Sequence, residues 1–140
     1  MITVATVLAI LASAIVPMVK NGITRQKEIE LRRDLREMRT AIDNYKTMAD
    51  QQKIKAPPVE NNGYPETLET LVEGVPLTGK TTKTRFLRRI PVDPFTGKPQ
   101  WGLRSIQDEP NSTSWGGGNV YDVYSLSELK GMNGIAYKEW

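Results

Sequence analysis

The first charged residue of the chain is Lys20, and the nineteen residues before it, MITVATVLAILASAIVPMV, are apolar except for Thr3, Thr6, Ser13 and the helix-perturbing Pro17. No other feature restricts the fold as much. As a helix this run spans roughly 28 Å at 1.5 Å per residue, close to the hydrocarbon thickness of a bilayer. A secretory signal peptide carries basic residues ahead of its apolar run, and none precede this one. A helix in the core of a small soluble domain is amphipathic, not apolar on every face. The expectation is an N-terminal helix that sits in lipid or inside a bundle of its own kind.

The charged sequence that follows continues the helix. From Leu31 the apolar positions are Leu31, Leu35, Met38, Ile42, Tyr45 and Ala49, alternating steps of four and three that draw one stripe on an α-helix. Glu28 with Arg32 and Arg39 with Asp43 read as i,i+4 ion pairs on its polar faces. The helix is expected to run to about Lys53 and to stop before Ala56-Pro57-Pro58, because a residue preceding proline is pushed out of the α region. The organisation is then residues 1–22 as the apolar half-helix, 23–55 as the amphipathic half, and 56–140 as a small head. Within the head, Tyr64–Val72 reads as a short helix with Leu68, Leu71 and Val72 inward, and 74–84 as loop. Gln100–Arg104 and Asn119–Ser125 read as antiparallel strands between dense Pro and Gly punctuation, the second with Tyr121, Val123 and Ser125 on one face. The fold class is α+β, a long helix packed on a small antiparallel sheet, with Leu31, Leu35, Met38, Ile42, Tyr45, Leu68, Leu71 and Val123 as the head core.

Composition narrows the chemistry. The 140 residues include no Cys and no His, which removes thiol nucleophiles, disulfides, zinc sites built on thiolate or imidazole, and His-dependent triads. Asp93, Asp108, Glu109 and Asp122 are the carboxylates available for acid–base work, but Asp93 before Pro94 reads as a turn residue and Asp108-Glu109-Pro110 as solvated loop. No catalytic role is expected. The charge is blocked: residues 1–55 carry ten basic and six acidic side chains, 56–79 four acidic and none basic, 80–104 seven basic and one acidic, 105–140 two basic and five acidic. Such blocks suit a subunit that packs on copies of itself. The basic segment interleaves Lys80, Lys83, Arg85, Arg88, Arg89, Lys98 and Arg104 with Phe86, Phe95 and Trp101, as a nucleic-acid strip would, yet the aromatics fall where a small head buries them, so no nucleic acid is expected.

Three stretches together resemble the type IV pilin-like family, closest to the major pseudopilin of type II secretion. The apolar start MITVATVLAILASAIVP resembles the family's N-terminal helix; Phe86-Leu87-Arg88-Arg89-Ile90-Pro91-Val92-Asp93-Pro94-Phe95-Thr96-Gly97 resembles the pseudopilin block of an aromatic, basic residues and Pro-x-Asp-Pro-aromatic; Val120–Ser125 resembles the C-terminal strand, with Tyr64-Pro65 opening the helix after the long one. Residue 5 is Ala5 where the family has Glu, and no basic leader is seen, so the chain reads as starting a few residues inside the mature helix. Lys20, Arg25 and Lys27 follow the apolar run, which alone places the head in the cytoplasm by the positive-inside rule; the resemblance implies the periplasm instead.

The resemblance implies a structural subunit. It waits in the bacterial inner membrane through one pass, then polymerises through its N-terminal helix into a homopolymeric filament, with minor pseudopilins and an inner-membrane assembly platform as partners. The alternatives are the major pilin of a surface-displayed type IV pilus or related extracellular fibre, and, less favoured, a DNA-binding pilin-like module or a membrane-anchored enzyme. Assembly is expected to involve Leu8, Leu11, Ile15, Pro17 and Gly22 in the bundle, with Arg88 and Arg89 meeting an acidic segment of a neighbouring head. Pro17 and Gly22 mark where the helix is expected to kink or melt in the filament. Major pseudopilins resemble one another in a calcium loop, for which Asp122, Glu128 and Asn133 are the candidates here; Lys130 inside the loop opposes a cation, so a metal-free loop closed by hydrogen bonds is expected, with no cofactor. Asn111-Ser112-Thr113 matches a glycosylation sequon.

Overall fold

In a computed structural model the backbone is described from Ile2 and the side chains from Lys20. Helix α1 is Ile2–Asp50, helix α2 Leu68–Glu73, and the strands are β1 Val75–Pro76, β2 Lys83–Thr84, β3 Gly102–Arg104 and β4 Asp122–Tyr124. Short 3-10 turns lie at Val59–Asn61 and Tyr137–Glu139. The class is α+β, a long helix with small antiparallel sheets. Among the described residues no helix is long and apolar enough to cross a membrane. The apolar run of residues 1–19, with Leu8, Leu11, Ile15 and Pro17, lies outside the described side chains.

The stripe on α1 is the wall on which the head is built. Leu31, Met38 and Ile42 are fully buried, Leu35, Ala41 and Tyr45 nearly so, and they share one core with Leu68, Leu71, Leu87, Trp101, Val120, Val123 and Tyr137. Tyr45 meets Phe86 edge to face at 5.4 Å.

The helix ends earlier than the proline predicts. Gln52 takes a left-handed φ of 57°, the Lys53 amide donates to the Met48 carbonyl at 2.9 Å and the Gln52 amide to that of Ala49 at 3.1 Å. This is the Schellman closure with glutamine where glycine usually sits. The released chain runs on as an extended segment, with Ile54 bridging to Leu77 and the Lys55 amide bonded to the Pro76 carbonyl.

Residues 74–84 are not a loop: β1 and β2 pair antiparallel with Val75 opposite Thr84 and Pro76 opposite Lys83. The second helix also starts later than its first apolar residues suggest. Thr67 caps it, its hydroxyl accepting from the Thr70 amide at 3.3 Å, while the Pro65 carbonyl is taken by the Val120 amide at 2.7 Å. Tyr64–Glu66 therefore lies outside the helix, joined through Pro65 to the segment before β4.

The head has two two-stranded sheets, β1-β2 and β3-β4, in place of one. In the second, Gly102 faces Tyr124, Leu103 faces Val123 and Arg104 faces Asp122. Tyr121 is exposed while Val123, Tyr124 and Ser125 are all buried, so β4 is covered on both faces after its first residues. The Tyr124 ring occupies the space a Cβ on residue 102 would need, and the Arg104 guanidinium lies 4.2 Å from its centroid. Gly102→Ala should therefore cost about 1–3 kcal/mol through overpacking, read as a lowered urea midpoint. Gly22→Ala, which meets only open space, should show no loss.

Candidate functional site

Two faces of α1 beside the buried stripe carry the unusual chemistry. The first is gripped by the segment from β4 to Trp140. Glu28 is 8% exposed, and its Oε1 accepts from the Met132 amide and from the Tyr137 hydroxyl, both at 2.8 Å. One turn on, the Arg32 guanidinium lies 4.4 Å from the centroid of the Trp140 ring. Arg39 donates to Asp122 Oδ1 at 2.7 Å and to the backbone oxygens of Val123 and Trp140 at 3.0 and 2.8 Å. Tyr137 is stacked on Phe95 with centroids 3.9 Å apart. Burial, then the bond to the Glu28 carboxylate, pushes its hydroxyl up to about 12. It therefore stays a donor at any physiological pH.

These contacts correct the local ion pairs expected from spacing. Glu28 serves the C-terminal segment instead of Arg32, and Arg39 serves Asp122 instead of Asp43, because a charge taken wholly or partly out of water has more to gain from fixed donors or acceptors than from a solvated neighbour. One signal for Glu28 was present in the sequence: it lies three residues before Leu31, so it extends the stripe. Glu28→Ala leaves a buried hydroxyl and an amide without their acceptor. It should cost about 2 kcal/mol, read by urea denaturation, with most of the loss recovered by Glu28→Gln.

The calcium candidates have different partners. Asp122 is held by Arg39 and lies 3.9 Å from Arg104. Glu128 is exposed and 3.9 Å from Lys138, while Asn133 Oδ1 accepts from the Ile135 amide at 3.0 Å. The loop itself is closed by backbone bonds, Gly131 amide to Ile135 carbonyl at 2.7 Å and Gly134 amide to Gly131 carbonyl at 2.9 Å. Among the described residues no group of three carboxylates, histidines or cysteines is placed to hold a metal ion.

On the other face of α1, a cavity of about 450 Å³ is lined by Glu30, Arg33, Asp34 and Glu37 from the helix and by Arg88, Arg89 and Ile90–Val92 from the head. Arg88 and Arg89 are exposed, and neither has an ion pair within 4 Å among the described residues. Asp34 is only 5% exposed, with Arg33 at 3.8 Å as its ion-pair partner. Burial raises its carboxyl to about 6, against the lowering by Arg33 and with Glu30, Glu37 and Asp93 adding to the rise.

Asp93 sits behind this cavity and is completely buried. Its Oδ1 accepts from the Phe95 amide at 2.8 Å, the turn role expected of it, and its Oδ2 accepts from the Ser125 hydroxyl at the end of β4. Ser125 Oγ in turn accepts from the Ser127 amide, and Ser127 Oγ from the Leu129 amide. The carboxylate thus anchors the Pro-x-Asp-Pro block to the segment that grips α1. Of the aromatics interleaved in the basic segment, Trp101 is buried and donates to the Pro91 carbonyl at 2.8 Å; Phe86 and Phe95 are partly buried against the core.

Of the two remaining carboxylate candidates, Glu109 is exposed and Asp108 closes a loop, accepting from the Ser105 and Gly116 amides at 2.8 and 3.0 Å. Those bonds, Gly116 first, hold its carboxyl below the usual range.

No family model, curated protein or solved structure matches this chain.

Proposed function

We propose that the chain is a structural subunit that polymerises through its N-terminal helix into a pilus-like filament, as the major pseudopilin of a type II secretion system. The observation that carries this reading is the division of labour on α1. The stripe from Leu31 to Tyr45 is saturated by the chain's own head, whereas Ile23 and Ile29 are 53% and 60% exposed and the preceding run is apolar on every face in sequence. A helix apolar all round satisfies its backbone internally and can be covered by lipid before assembly and by copies of itself afterwards. Asp93 supports the same reading, since the signature-like block anchors the head. The role is mechanical, with the protein held in the inner membrane and its head in the periplasm until it assembles with minor pseudopilins on a membrane platform.

Electron microscopy of material sheared from native cells, without overproduction, tests this. Retention in the inner membrane with no long fibres is the expected result. Long fibres built from this subunit would replace the secretion role with that of a surface pilin.

A further inference from the structure

We infer, resting on the filament reading above, that the trough between α1 and the C-terminal segment is the receptor for the Val59–Asn61 turn of a second copy of this chain. Two adjoining cavities, of about 490 and 500 Å³, share Arg32 and Asn133 and so form one continuous trough along the helix. Its apolar lining includes Ile29, Met132 and Ile135, which are 46–60% exposed. Arg25, Arg32 and Arg36 line it, and none has a carboxylate within 4 Å among the described residues. Glu28 at its base is committed to Met132 and Tyr137, and Asp43 and Glu139 lie in the cavity that also holds Trp140. The Arg25–Arg36 stretch of the trough is therefore apolar and cationic, and it calls for an apolar knob beside an acid.

The same chain displays that knob. Val59 is 94% exposed, the most exposed of the large apolar side chains described, and Glu60 stands next to it. The turn is rigidly presented: the Asn61 and Asn62 amides bond back to Pro58 and Val59, and Lys46 Nζ holds the Asn62 carbonyl at 2.7 Å. It opens the 56–79 segment, which has four Glu and no basic residue.

Knob and trough are different patches of one molecule, so their union is head-to-tail and repeats without closing unless its rotation makes a ring. The turn lies beside residue 46 of α1 and the trough is centred on residue 32. Adjacent copies joined this way are displaced by about 20 Å along the helix at 1.5 Å per residue.

The absence of cysteine makes the test clean. Val59→Cys and Ile29→Cys are introduced together, both at exposed positions where folding is untouched, and the full chain is oxidised in cells and separated without reductant. The expected result is a ladder of dimers, trimers and higher multimers that needs both cysteines, and that loses its upper rungs when Glu60→Arg is added. Filaments that form normally with no ladder would overturn this inference and leave the filament reading standing. Dimers from Val59→Cys alone would show the turn meeting itself, which also overturns it. No filaments and no ladder would overturn both.

Discussion

Asp93→Ala should destabilise the head by about 3–5 kcal/mol, since it removes the acceptor from two hydrogen bonds to a carboxylate, each contributing about 1.5–3 kcal/mol in a site closed to water. The side chain is completely buried, and the donors left behind are the Phe95 amide and the Ser125 hydroxyl. Ser125 also orients Ser127, and through it Leu129, so the loss spreads into the segment that grips α1. Chemical denaturation measures the total, and amide exchange at Leu129 and Met132 shows whether the grip loosens with it. Asp93→Asn keeps one acceptor and should cost about half as much. If both variants unfold at the wild-type midpoint, the carboxylate is not an anchor.

Asp34→Asn should instead stabilise the protein at neutral pH. Burial lifts the folded carboxyl from 3.8 to about 6. A raised folded value means the native state holds a proton that the unfolded chain has released, so the contribution of Asp34 is fully present below pH 4 and lost as pH rises through 6. Each tenfold gain in proton affinity on folding corresponds to about 1.36 kcal/mol, so the wild type gives up about 3 kcal/mol across that window. Asn removes the slope, so variant and wild type should coincide near pH 4 and separate by about 2–3 kcal/mol at pH 7, as read from denaturation midpoints at the two pH values. The charges facing the group are Arg33, Glu30 and Glu37 on its own helix, Arg88 and Arg89 across the cavity, and the buried Asp93 of the head. Asp93→Asn in the same chain should flatten the wild-type slope slightly, because the Asp93 charge is one of the smaller contributions to the rise.

The elements that could be read from the sequence are those whose signal is local and repeated. Six apolar positions in alternating steps of four and three leave no choice but a helix face, and Leu31 through Tyr45 are where the core lies. Of the strand expected over residues 119–125 the structure forms Asp122–Tyr124, and it was visible because Val120, Tyr121, Val123 and Tyr124 are strand formers between glycines and a polar turn. The C-terminal stop of α1 was hidden because Gln52 does what glycine usually announces. The first hairpin was hidden because its arms are two residues each, too short to alternate.

The grip on α1 was hidden for a different reason. A local partner four residues away can always be found for an arginine or a glutamate on a helix, while the partners of Arg39 and Glu28 lie 83 to 109 residues along the chain. Spacing shows what a side chain is able to reach locally, and only burial decides which reach is used.

That separation also sets the order of events when the protein folds. The wall of α1 can form by itself in about a microsecond, as helices of its kind do. Its covering requires Asp122, Met132, Tyr137 and Trp140 to return across roughly a hundred residues of chain. Long-range closures of this type slow folding more than they weaken the finished structure. A chain emerging N-terminus first therefore gains Leu68, Leu71, Leu87 and Trp101 as partners for the stripe of Leu31, Leu35, Met38 and Ile42 before Val120, Val123 and Tyr137 complete the cover. The apolar seam is thus closed in stages, and its last cover is the segment made last.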